Sequence, residues 1–161
     1  MKYDVEEILD DIESLLKEKL NAQLQSIAAE KDALGKTVDT PEILETSYFQ
    51  QTWSDNILNV TPAIFYGVDS IQATGNGPTT LEVFKIFVEV VYIDSGMDTN
   101  GKRRLLRYSR AIKEIFEKNF DALPWANKIN IETIRPLAFT LDTNTSEEVR
   151  VGGVSITTAL A

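Results

Sequence analysis

A chain of 161 residues with 43% hydrophobic content is long enough for one domain with a substantial core, and its 25% charged content is ordinary for a globular protein. Its formal charge of −9 argues against a general binder of nucleic acid or anionic membrane. Cysteine and histidine are both absent, which excludes disulfides, thiol catalysis, thiolate or imidazole metal ligands and the commonest general base.

The opening "MKYDVEEILDD" is acidic and amphipathic, unlike a basic, apolar targeting segment, and no run approaches the ~20 apolar residues that span a bilayer. The expected site of synthesis is the cytoplasm, so the sequons at Asn59 and Asn144 carry no weight. Residues 4–29 are predicted as one helix. Val5, Ile8, Leu9, Ile12, Leu15, Leu16, Leu20, Leu24 and Ile27 recur at three- and four-residue spacing and so share a stripe. Asp4 and Glu7 fit a capping box, and Gly35 marks the stop. At about 1.5 Å per residue this helix is on the order of 40 Å long. Its stripe is read as core packing, with pairing to another subunit as the alternative.

Residues 36–60 have Pro41 at a helix-start position and then aromatics without a clear period. They read as a short helix with an irregular connection, or as an arm that orders on a partner. From residue 61 the period becomes two. "TPAIFYGV" is a short strand and "TTLEVFKIFVEVVYID" (79–94) a long one, with the turn-rich "QATGNGPTT" making them an antiparallel hairpin. In the long strand Phe84, Ile86, Val88, Val90 and Tyr92 share one face. The other face is only partly polar, so something covers part of it, most simply a helix.

A basic helix over about 101–120 follows "SGMDTNG". Leu105, Tyr108, Ile112, Ile115 and Phe116 form its apolar stripe, and Arg103, Arg107, Arg110, Glu114, Glu117 and Lys118 the opposite side. Residues 128–142 and 147–161 are two further strands, with Gly152-Gly153 marking a bulge or bend. The predicted fold is α+β: a four-stranded, largely antiparallel sheet with a long N-terminal helix and a second helix packed on one face. It forms a single domain, 1–161, divided into a helix (1–35), an irregular or arm segment (36–60) and the sheet with its basic helix (61–161).

Several motifs fail on inspection. Gly75-x-Gly77 lacks a third glycine and leads into a strand, so no helix N-terminus awaits a phosphate. "GMDTNG" resembles the middle of a calcium loop, but Gly96 stands at the first ligand position and Arg107 at that of the bidentate glutamate. Glu82 and Glu89 fall on opposite faces of the long strand, and no buried acid pair for acid–base work presents itself. The expectation is a protein that is not an enzyme and needs no cofactor or metal.

The arginines are the anomaly. Four of six lie between Arg103 and Arg110, with no acid from Lys102 to Lys113. A solvated face chosen for solubility would interleave opposite charges. Nucleic-acid binding would need a broad cationic face, which the acidic remainder denies. An acidic protein surface suits planar guanidinium groups best, and copies of this chain are themselves acidic. Arg103, Arg104, Arg107, Arg110 and Lys113 are therefore the candidate interface residues. The charge is also two-sided: residues 1–95 carry 17 acids and 6 bases, and residues 96–161 carry 8 acids and 10 bases, an asymmetry that head-to-tail assembly can use.

The series "PAIFYGV", "LEVFKIFVEVVYID", "RRLLRYSRAIKEIFEKNF" and "VRVGGVSITTAL", behind an amphipathic helix, resembles the tail terminator (tail completion, or neck) proteins of tailed bacteriophages. The resemblance covers about residues 60–161 in element order, and residues 36–60 match no family element. It implies a ring, usually hexameric, that caps the tail tube and joins it to the head. Its partners would be copies of itself, the tail tube protein and a head–tail connector protein. Genomic DNA would pass through the lumen without specific binding, and no membrane or cofactor would be involved. The expected location is the virion, at the tail–head junction, after synthesis in the bacterial cytoplasm. The alternatives are another connector or neck adaptor protein, and a small cytoplasmic ligand-binding module using the sheet face or residues 36–60.

Overall fold

The computed structural model describes residues 4–52, 61–75, 81–95, 99–125, 129–140 and 147–160. Helix α1 runs Val5–Ala33. The predicted box forms at its start: the Asp4 side chain accepts from the Glu7 N–H, and Glu7 accepts from the Asp4 N–H. At its end Gly35 takes a φ of 71°, and the N–H groups of Gly35 and Lys36 close onto the carbonyls of Asp32 and Lys31 at 2.9 Å each. Every predicted stripe residue from Ile8 to Ile27 is buried, and Val5 is partly so. At about 1.5–3 kcal/mol for each buried aliphatic side chain, this stripe is a large apolar contribution to the core. No helix among the described residues is long and apolar enough to cross a membrane.

Six strands follow in chain order: β1 (Tyr48–Phe49), β2 (Ala63–Thr74), β3 (Leu81–Ser95), β4 (Ile129–Thr133), β5 (Leu137–Thr140) and β6 (Glu147–Leu160). Helix α2 (Gly101–Lys118) and a short 3-10 turn (Phe120–Ala122) lie between β3 and β4. The expectation of a four-stranded, largely antiparallel sheet is corrected to a mixed sheet of six strands. The order is β1-β2-β3-β6-β4, with β5 also paired to β6.

Two local causes account for the difference. The segment after α1 contributes β1, which pairs in parallel with β2 through Tyr48↔Ile64 and Phe49↔Phe65. The expected strand over 128–142 is divided at Pro136, which has no N–H to continue a ladder. Its halves lie end to end along β6, β4 opposite Val154–Thr158 and β5 opposite Glu148–Val151. Strand β2 is longer than expected because its ladder with β3 continues to Thr74↔Leu81, past a register shift at Val68/Ser70.

One face of the sheet, with Tyr66, Phe84, Ile86, Val88, Val90, Tyr92, Val154 and Ile156, packs into the main core beneath both helices. The helices run antiparallel. Trp125, beyond α2, donates to Asp11 at 3.0 Å, and at the other end Arg110 bonds Glu30. The opposite face carries a smaller cluster of Ala63, Phe65, Val91, Val149 and Val151, with Phe49 stacked on Phe65 at 5.2 Å. No helix residue among the described ones belongs to it. Glu89 sits half-buried there. Burial first, and the Asp69 carboxylate second, push its pKa up.

Strand β6 keeps register with β3 straight through Gly152 and Gly153, so no bulge occurs on that side. The glycines mark instead the break between β4 and β5, where the Ile134 N–H bonds the Gly153 carbonyl at 2.9 Å. The Gly153 N–H in turn donates to Ser109 Oγ at 2.9 Å, which seats α2 on β6. Residues 53–60, 76–80, 96–98 and 141–146, on which the expected turn and loops fall, lie outside the described residues.

Gly153 has a φ of 130°, and a Cβ there would stand 2.0 Å from the Val88 carbonyl oxygen. Gly153→Ala should cost more than about 3 kcal/mol in urea unfolding, since it combines backbone strain with overpacking against main chain. For Glu89 the raised pKa means that its ionised form opposes folding, and this penalty disappears as pH falls below the ordinary glutamate value of 4.5. Glu89→Gln should therefore raise the melting temperature at neutral pH, with the gain vanishing near pH 4.

Candidate functional site

The arginine cluster lies where the N-terminal half of α2 meets the C-terminal end of α1. Helix α2 begins after Asn100 without a side-chain cap, and its first turn contains no acid. Lys102, Arg103 and Arg104 instead add positive charge to the positive end of the helix dipole, an unfavourable placement. Partial relief comes from Asp94, whose carboxylate lies against Gly101 and pairs with Arg150 at 2.6 Å.

The structure separates the five candidate cations by what they touch. Arg107 is only 6% exposed, and its guanidinium donates to the carbonyls of Val38 at 3.0 Å and Lys36 at 2.5 Å. It is thus not on the solvated side of the helix where sequence periodicity places it. Arg104, half-buried, donates to the Asp39 carbonyl at 2.6 Å and lies over the Tyr92 ring. Arg110 forms a two-pronged pair with Glu30, at 2.7 and 3.0 Å, and bonds Glu114 at 2.6 Å. The Glu30 carboxyl is held below its ordinary range chiefly by the hydrogen bond from Arg110. Lys113 faces Glu117 at 3.8 Å, a surface pair of little energetic weight. Arg103 is exposed and makes no hydrogen bond or ion pair among the described residues.

Three arginines therefore act within the chain. Arg104 and Arg107, together with the Tyr108 hydroxyl, which donates to the Pro41 carbonyl, secure residues 36–41 over α2, while Arg110 ties α2 to Glu30 of α1. Asn21 of α1 continues the fastening. Its amide bonds the Ile43 N–H and carbonyl, both at 2.9 Å, while Val38 and Ile43 bury their side chains. Over 36–52 the segment forms no helix; it is an irregular strap packed on the helices that includes β1. Asn21 and Tyr108 escape a search for charged sites. The hint in the sequence is Arg104, Arg107 and Tyr108 at three- and four-residue spacing beside the apolar stripe, on one flank of the helix.

Between the two helices these residues line a groove of about 260 Å³. Ile27 and Leu106 form its apolar surface, and Lys31, Lys36, Arg103, Arg107 and Arg110 surround them. Among the described residues no acidic side chain lines it, although Glu30 beside it pairs with Arg110 and Lys31. Chemically the groove is suited to carboxylates carried on a partly apolar support.

No family model and no curated protein matches the sequence. Among solved structures, the chain is similar to one from a structure described as "Virion of native gene transfer agent (GTA) particle". The two are 12% identical, the alignment covers 91% of this chain and 95% of that one, and the TM-score is 0.36. Likeness at that level assigns neither family nor function.

Removing the Arg107 guanidinium would strand two strap carbonyls. Arg107→Met should cost about 2–4 kcal/mol in chemical denaturation and abolish hydrogen-exchange protection around Val38–Ile43. Arg103→Ala, at a site with no partner among the described residues, should stay within about 0.5 kcal/mol of the parent.

Proposed function

We propose that this chain is a structural, non-enzymatic virion protein that assembles as a ring at the end of a phage or phage-like tail tube. In this reading it is a tail terminator. It covers the last ring of the tube, stops further polymerisation and presents a new surface for joining to the head. A ring of about six copies follows the family that the sequence resembles. Chemistry at such a junction is surface complementarity, with no cofactor, and an acidic lumen would let DNA pass without adhering.

The observation that supports this reading is the charge layout of the helical layer. The first turns of α1 carry Asp4, Glu6, Glu7, Asp10, Asp11 and Glu13 with no base among them, whereas the far end of the layer is the cationic groove. Opposite patches at opposite ends of one chain suit repeated head-to-tail contact, which closes into a ring when the rotation allows. Among the five candidate cations, Arg103 and Lys113 point outward for such contacts, and Arg104 and Arg110 contribute their exposed edges. Arg107 supports the surface from behind.

The test is solution mass by light scattering, with and without polymerised tail tubes from the same source. A closed oligomer of about six chains, or a monomer that closes on tube ends, is the expected result. Arg103→Glu with Lys113→Glu should weaken that assembly while leaving the monomer folded. A monomer or dimer that ignores tubes would overturn the ring reading in favour of a small binding module.

A further inference from the structure

We infer that the cationic groove between α1 and α2 is the seat for the acidic first turns of α1 from a second copy of this chain. The inference rests on the ring reading and specifies which surfaces meet. The cations are crowded against one another in the isolated chain, and pairing with a carboxylate-bearing surface relieves that crowding. In the groove, Lys36 and Arg103 are exposed and make no ion pair among the described residues; both lie close to Lys31, and Arg103 is itself one of the three cations that crowd the first turn of α2. At the other end of the layer Asp4, Glu6 and Asp10 are exposed. Glu6 and Asp10 are four residues apart on one helix, where like charges repel.

The two patches cannot meet within one molecule. Both lie along the same rigid helix, and Asp10 and Lys31 are separated by about 30 Å at 1.5 Å per residue. They can meet only between copies. The groove's apolar wall also favours this occupant, because Leu106, 44% exposed, would be covered and the charge pairs beside it partly desolvated and strengthened. Duplex DNA is less suited. It would need a longer cationic track, and the −9 charge of the chain repels it.

The absence of cysteine makes a direct test clean. Full-length Asp10→Cys and Arg103→Cys chains are mixed under mild oxidation, and each remains close in charge layout to the parent. The expected result is a disulfide-linked dimer that forms about tenfold faster than in either variant alone, or than when Asp10→Cys is mixed with an exposed control, Ser26→Cys. Raising the salt to 0.5 M, where the screening length falls to about 4 Å, should slow it. Equal rates in all mixtures would overturn the inference. So would protection of Cys-substituted position 103 by added duplex DNA in place of cross-linking. Light scattering of the parent chain with tail tubes separates the two levels. A closed oligomer without preferential 10–103 linkage removes this docking and leaves the ring, whereas no oligomer and no linkage removes both.

Discussion

The guanidinium of Arg107 is the fastening on which the arrangement of this molecule depends. An irregular strap that crosses a helix presents carbonyls that need donors, and a buried carbonyl left without one costs about 1–3 kcal/mol. Arg107 supplies two donors from one rigid plane, to Lys36 and Val38. Once those carbonyls are held, the end of α1 is fixed against α2, Val38 and Ile43 are buried, and the chain is delivered to the edge of the sheet as β1. Lysine has the charge for this task but not the planar fork.

The electrostatics follow from the same geometry. Because Arg104, Arg107 and Arg110 are turned to internal acceptors, the positive field that they create is held in place without being exposed in full. Arg103, Lys31 and Lys36 then lie over a surface that is already cationic. A mobile charge on a surface loop is readily screened; a charge backed by buried partners and a helix N-terminus projects further. The acidic turns of α1 are built in a similar way, with Asp11 fixed by Trp125 and Glu13 by Lys17 and Tyr66, which leaves Glu6 and Asp10 outermost.

Much of the fold could be read from the residues because it rests on local periodicity. The stripe of α1, its capping box, the core face of β3 and the stripe of α2 each repeat a spacing that one element alone specifies. The strap could not be read in this way. Its conformation is set by Asn21, Arg104, Arg107 and Tyr108, most of them more than sixty positions distant, and its own sequence has no period to reveal this. The division of β4 from β5 is missed, since 128–142 reads as one strand, although Pro136 carries the signal. For the candidate site, clustering of arginine identified the right segment but gave the wrong orientation for Arg107. A sequence displays a guanidinium as a charge, whereas its partners here are main-chain carbonyls, which every residue carries and which therefore leave no mark.

The central position of β6 sets the order in which the molecule can be assembled. Strand β6 lies between β3 and the β4–β5 edge, yet among the described strands it follows all the others in sequence. The β2–β3 hairpin is local and can form early, but until β6 emerges from the ribosome one entire edge of β3 has unpaired main-chain groups, open to strands of other nascent chains. Helix α2 follows β3 immediately and packs on the same apolar face. It can shield that face during the interval, though not the edge. Closure of the sheet then waits on a contact distant in sequence, the kind whose formation slows folding.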